Sequence, residues 1–337
     1  MGQGLPLQAL VGLSPVALFL SALAWFDSYK LVTARMLAGA IGFGAFAAGA
    51  SYFANNAATV LLNVDDTTFV RYVSPVIEEA IKASILVFLI RTQRIGMLVD
   101  AAIVGFAVGT GFAVIENLYF LLSRPDLPMG VWVIRGFGTA VMHGGATAIF
   151  AIVSVELADE HPDALLTAFV PGLTAAVLVH SMFNHFLALP VQSTMGVFIV
   201  LPLLMYAAFV RSETALKRWL GNDFDADVAV LECLDSENFE ESRIGRYLLT
   251  MKERFHGPVV GDMLCYLRLH AELALRAKGV LLARESGIEV ETDEETIEKL
   301  NELEFLEQSI GKTGQLAMQP VLRTSRKDLW QLYVLKK

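Results

Sequence analysis

Four apolar stretches of this chain carry the residue types that acid–base chemistry needs. The first reads Ser74-Pro75-Val76-Ile77-Glu78-Glu79-Ala80-Ile81-Lys82 and the second Phe112-Ala113-Val114-Ile115-Glu116-Asn117. The third contains His143-Gly144-Gly145 and the fourth His180-Ser181-Met182-Phe183-Asn184-His185. Ionisable groups in such surroundings are costly to bury, so each is a functional candidate. A buried carboxylate beside a histidine can take a proton from a water aimed at a carbonyl. A second histidine and an asparagine amide can then stabilise the oxyanion. Glu78, Glu79, Glu116, His143, His180 and Asn184 are therefore the candidate catalytic residues, with Lys82 and Asn117 supporting. A second chemistry stays open, because Glu79, His143 and His180 would suit an open zinc site. No His-Glu-x-x-His pair is present and the apolar stretches hold no cysteine. The expectation is water activation by glutamate and histidine, with zinc as the alternative.

Spacing refines these candidates. Glu78 and Lys82 are four residues apart on a helix, which predicts an ion pair between them. Glu79 lies about 100° round and points to a different partner. His180 and Asn184 share one face, with His185 a step aside. Pro75 removes a backbone hydrogen bond one turn before the acids and is expected to open the helix there.

The surrounding chain reads as membrane. Of 337 residues, 55% are hydrophobic and 18% charged, with mean hydropathy +0.53. Soluble domains run at about 45–50% and about 25%. Residues 1–210 hold 8 Lys/Arg and 12 Asp/Glu, and residues 211–337 hold 18 and 23. Seven spans of the required length lie at residues 7–26, 35–57, 72–90, 97–122, 133–155, 164–187 and 193–210. Counting 1.5 Å per residue, Glu78, Glu116, His180 and His143 all fall roughly 9–15 Å below one membrane face. The fold expected is all-α: a polytopic helix bundle over 1–212 and a soluble helical domain over 213–337.

Loop charge sets the orientation. With the N-terminus outside, inner loops hold Lys30, Arg35, Arg91, Arg94, Arg211, Lys217 and Arg218, against Arg71, Arg124 and Arg135 outside. The tail is then cytosolic, which suits Cys233 and Cys265 as reduced thiols. In the tail, Thr292 to Glu295 is read as a capping box opening a helix, with Ile297, Leu300, Leu303, Leu306 and Ile310 on one face and Gly311 closing it. Ser325 to Asp328 reads as a second box. The glycines at 39, 42, 44 and 49 and at 105, 109 and 111 are read as close-packing positions. A net charge of −9 without a basic surface argues against nucleic acid.

At these residues the chain resembles the PrsW family of intramembrane proteases, relatives of the CAAX prenyl proteases. Glu78-Glu79-x-x-Lys82, Phe112-x-x-x-Glu116-Asn117, His143 in a Gly-rich span and His180-x-x-x-Asn184 look like the family's motifs, in order. The resemblance implies a multi-pass protease of the bacterial inner membrane that cuts membrane-anchored proteins. The namesake group's substrate is an anti-sigma factor. Glu78 and Glu79 would be its catalytic acids, with His143 and His180 beside them and Asn184 assisting the oxyanion. CAAX-type relatives carry histidine where Glu116 stands, so their water-activating pair does not transfer. The alternatives are a proton-coupled transporter, which would show paired repeats, and a non-catalytic scaffold that binds single-span proteins.

Overall fold

The computed structural model describes residues 4–27, 29–160, 165–185, 189–288, 290, 292–322 and 326–335. Helices dominate, and there is no strand among the described residues. The chain forms two compact units, Met1–Ser212 and Glu213–Lys337.

The first unit holds helices α1 (Gly4–Trp25), α2 (Ala34–Leu62), α3 (Ser74–Arg91), α4 (Leu98–Ser123), α5 (Val141–Glu160) and α6 (Leu165–His185). Helix α7 (Pro190–Asp235) belongs to it as far as Ser212. Helix α4 is the axis, with 89% of its most apolar window buried. Apolar surface gives no driving force between helices in lipid, so close backbone approach must supply the packing. A side chain at Gly111 would meet the Ile41 carbonyl oxygen at 2.0 Å, and one at Gly44 the Val108 carbonyl oxygen at 1.9 Å. These two glycines seat α4 on α2. On the other flank, a Cβ at Gly109 would lie 2.3 Å from the His143 carbonyl oxygen, which seats α4 on α5. Gly39, Gly42 and Gly49, expected to pack in the same way, face open space.

Among the described residues, six helical stretches are long and apolar enough to cross a membrane: Leu5–Trp25, Ala34–Leu62, Leu98–Ser123, Met129–Asp159, Thr167–His185 and Pro190–Asp235. The chain is an integral membrane protein. The remaining span of the expected seven is α3, which carries Glu78, Glu79, Lys82 and Arg91 in 18 residues. Its length of about 27 Å still approaches a bilayer core of about 30 Å. Pro75, Glu79, Lys82, Ala83, Leu86, Leu89 and Ile90 are buried at helical period, against α2, α5 and α6. Of the charges that lower its hydropathy, Glu79 and Lys82 are buried, Glu78 is half-buried and Arg91 at the helix end is exposed; the expected orientation depends on this helix crossing.

Two π-helical turns precede the polar helices. Phe69–Val73 leads into α3 and Ile134–Ala140 into α5. Such turns break the regular hydrogen-bond ladder and often accompany functional sites. Pro75 lies in the first turn of α3, where a missing N–H is tolerated, and the irregular backbone precedes it in the π turn Phe69–Val73. The helix that carries the expected span 193–210 is longer than that span, because α7 continues to Asp235.

The second unit contains the rest of α7, then α8 (Arg243–Met251), α9 (Gly257–Glu285), α10 (Glu294–Met318) and α11 (Arg326–Leu335). Helix α9 is its centre and packs on α10 and α11. The N-cap of α10 is Asp293, whose carboxylate accepts the Thr296 N–H at 3.0 Å. Thr292, expected in that role, donates to the Leu335 carbonyl instead. Leu300, Leu303, Leu306 and Ile310 are buried, but Ile297 is exposed. Gly311 breaks the helix with φ 64°. Ser325 lies outside the described residues.

Candidate active site

The polar groups of α3, α4, α5 and α6 converge within the first unit. From α3, Glu79 and Lys82 are 2% and 0% exposed. The Lys82 ammonium donates to Glu79 Oε1 at 2.6 Å, so the ion pair is between residues three apart. The pairing expected with Glu78 does not form. Glu78 turns the other way: its Oε1 accepts from Ser74 Oγ at 2.5 Å and from Asn55 Nδ2 of α2 at 3.0 Å.

His180 of α6 reaches both acids. Its Nδ1 lies 2.8 Å from Glu79 Oε1, and its Nε2 lies 3.9 Å from Glu78 Oε2. A carboxylate only accepts, so Nδ1 carries the proton and donates it. That leaves the Nε2 lone pair facing Glu78. His143 of α5 is held on both sides. Its Nδ1 lies 3.2 Å from Lys82 Nζ and its Nε2 2.8 Å from Glu116 Oε2. An ammonium has no acceptor, so Nδ1 accepts from Lys82 and Nε2–H donates to Glu116. The two imidazole rings meet edge to face at 4.8 Å.

Glu116 is anchored in turn by Arg135 of the second π turn, whose Nη2 lies 3.1 Å from Glu116 Oε1. Arg135 Nε donates to Asn117 Oδ1 at 2.9 Å, and Asn117 Nδ2 donates to the Gly12 carbonyl at 2.8 Å. The guanidinium also stacks on Phe120 at 3.6 Å. Asn117 thus supports the cluster through Arg135, a residue the sequence reading placed in a loop. Its signal was position: an arginine eight residues before His143, on the same membrane segment. Asn55, a polar residue in the C-terminal part of α2, is a further partner that no spacing pattern singles out.

Asn184 is not brought into this cluster. Its Nδ2 donates to the Val70 carbonyl at 2.9 Å. Its neighbours hold the same turn: Ser181 Oγ donates to the Arg71 carbonyl at 2.6 Å, and His185 Nε2 lies 2.9 Å from the Tyr72 side-chain hydroxyl. Helix α6 thereby holds the first π turn through three side chains, two of which satisfy backbone carbonyls of that turn.

The matched ligand atoms of Glu78, His143 and His180 all lie within 4.8 Å of one another. Two imidazoles and a carboxylate are a donor set of open catalytic zinc sites. Each histidine has a carboxylate behind its other nitrogen, Glu79 for His180 and Glu116 for His143, as metal-binding histidines usually do. The donor types fit a divalent metal, but the one lone pair of His143 Nδ1 is taken by Lys82, so a metal at that nitrogen would have to displace the Lys82 hydrogen bond. Glu78 stands in the place expected for Glu79.

A family model, PrsW family intramembrane metalloprotease, matches residues 32–210, more than half of the chain. The chain belongs to the PrsW family. The match runs from the start of α2 into α7 and includes every group of the cluster. Helix α1, whose Gly12 carbonyl closes the hydrogen-bond chain, and the second unit lie outside it. No curated protein and no solved structure matches the chain. Family membership makes it an intramembrane protease, and the family's description as metalloproteases favours the metal alternative over the expected metal-free mechanism.

Proposed function

We propose that this PrsW-family protease hydrolyses peptide bonds of membrane-anchored proteins at the cluster of Glu78, Glu79, His143 and His180. The observation that carries the reading is the convergence of two α3 carboxylates on His180, with His143 in edge contact. A divalent metal would be held by Glu78, His143 and His180 and would supply Lewis-acid polarisation of water and of the scissile carbonyl. Glu79 accepts a proton from the attacking water. The water oxygen adds to the carbonyl carbon, the C–N bond breaks, and the proton passes to the departing amine. Glu79 also orients His180, Glu116 orients His143, and Lys82 and Arg135 compensate the charge of those two carboxylates.

The test compares membrane-protein fragments in cells making the normal chain, Glu78→Gln or a Glu79 variant, with metal content measured on the purified proteins. Glu79→Gln alone would leave Lys82 buried without its counter-charge, at a cost of about 3–5 kcal/mol. The informative variant is therefore Glu79→Gln with Lys82→Met. We expect it to keep metal and lose cleavage, and Glu78→Gln to lose both. Near-normal cleavage by either variant overturns the assignment.

A further inference from the structure

The second unit has an open cavity of about 860 Å³, bounded by α7, α8, α9 and the segment after α10. Ligand pockets run at about 300–1,000 Å³, so the volume suits a small molecule. Its lining divides in two. Val230, Leu267, Ala271 and Leu322 make an apolar floor. From α8, Arg243, Arg246, Tyr247 and Thr250 recur at positions i, i+3, i+4 and i+7 and face the cavity as one stripe. The other face of α8 does the packing, through Gly245, Leu248 and Met251.

The charge at this stripe is the informative feature. Residues 213–337 hold 17 Lys/Arg and 23 Asp/Glu, so acidic partners are plentiful. Arg268, Arg276 and Lys299 all take them. The side chains of Arg243 and Arg246 make no ion pair or hydrogen bond among the described residues. The one carboxylate in the lining, Asp227, is paired with Lys278. The rim of the cavity therefore carries two exposed guanidiniums with no ion pair among the described residues, beside an apolar floor and in a unit that is acidic overall.

We infer that this cavity binds a small amphipathic anion, a phosphate or carboxylate head on an apolar body. Arginine holds such heads through paired N–H donors, and the floor receives the body. The inference does not rest on the protease reading, since the unit lies beyond the residues matched by the family.

The experiment is calorimetric titration of the full-length protein in nanodiscs with hexyl phosphate, inorganic phosphate and hexanol. Hexyl phosphate is expected to bind saturably and at least tenfold more tightly than inorganic phosphate, and hexanol not to saturate. Arg243→Gln with Arg246→Gln should weaken hexyl phosphate by tenfold or more, as expected for lost charge-assisted hydrogen bonds. Arg254→Gln, an exposed arginine outside the lining, should not. Ala226→Phe, adding bulk to the lining from a half-buried position, should remove binding without changing the melting curve. Absence of saturable hexyl phosphate binding overturns the inference. So does equal binding by inorganic phosphate, or binding indifferent to both arginines.

Discussion

Replacing Gly109 by alanine tests whether the α4–α5 contact sets the geometry of the polar cluster. A Cβ there would lie 2.3 Å from the His143 carbonyl oxygen and 2.6 Å from Gly144 Cα. Both are main-chain atoms, so no side-chain rotation can relieve the overlap. Ordinary contact begins near 3.4 Å, so the two helices must part by roughly 1 Å, and His143 moves with its backbone. Overpacking of this kind costs about 1–3 kcal/mol. A displacement of about 1 Å in a catalytic group can cost about 100-fold in rate. Gly109→Ala is therefore expected to lower the melting temperature and to cut cleavage by about two orders of magnitude. The control is Gly49→Ala, where nothing lies within 4 Å; its stability and cleavage should match those of the unaltered protein. The assays are melting of the purified proteins in detergent and accumulation of membrane-protein fragments in cells. If Gly109→Ala behaves like Gly49→Ala in both, close approach at this glycine does not position His143.

Asn184→Ala should lower stability by about 1 kcal/mol, the worth of one hydrogen bond to the Val70 carbonyl, and slow cleavage by less than about tenfold. An oxyanion donor would cost about 100- to 1,000-fold, so a loss of that size restores the role implied by the family motif. In the second unit, the Thr296 hydroxyl and backbone N–H hold the Asp293 carboxyl below its ordinary 3.8. A depressed carboxylate contributes stability that is present above its unfolded value and lost as pH falls through the folded one. Melting curves between pH 5 and pH 2 should thus show an acid limb that Asp293→Asn flattens; an unchanged limb refutes the capping account.

The candidate residues were legible because burying charge in an apolar segment is expensive, and a sequence rarely contains it without use. Glu78, Glu79, His143 and His180 stand out on that ground alone, before any helix is placed. Their partners did not, since partnership depends on rotamers and on neighbouring helices. Lys82 can reach back three residues or four, and its choice of Glu79 follows from His143 lying on that side. Asn184 occupies the motif position of a catalytic amide, yet the carbonyls freed by the π turn compete for it. The π turns themselves leave no periodic trace in a segment that is apolar on every side. The length of α7 was hidden for a related reason: the change from apolar to charged residues near Arg211 marks a change of surroundings, and the backbone helix continues through it. The capping error at Thr292 is a shift of one residue between two side chains that both cap well.

Charge balance within the cluster bears on the metal. Three carboxylates, Glu78, Glu79 and Glu116, meet two fixed cations, Lys82 and Arg135. Lys82 serves Glu79 at 2.6 Å and Arg135 serves Glu116 at 3.1 Å. Glu78 has neither; its Oε1 is held by the neutral donors Ser74 and Asn55, and its Oε2 faces His180. An isolated charge in a low-dielectric interior is costly, and neutral hydrogen bonds offset only part of that cost. The one acid without a fixed counter-charge is also the acid whose ligand atom groups with those of His143 and His180. A divalent cation there would answer both facts at once, giving Glu78 its counter-charge and using the Nε2 lone pair that Glu79 leaves exposed on His180. On this argument Glu78→Gln removes a ligand and the charge that attracts the metal together, whereas Glu79→Gln with Lys82→Met removes a balanced pair and leaves the donor set whole. Metal content measured on the two variants separates the roles of adjacent glutamates that fragment analysis alone would score alike.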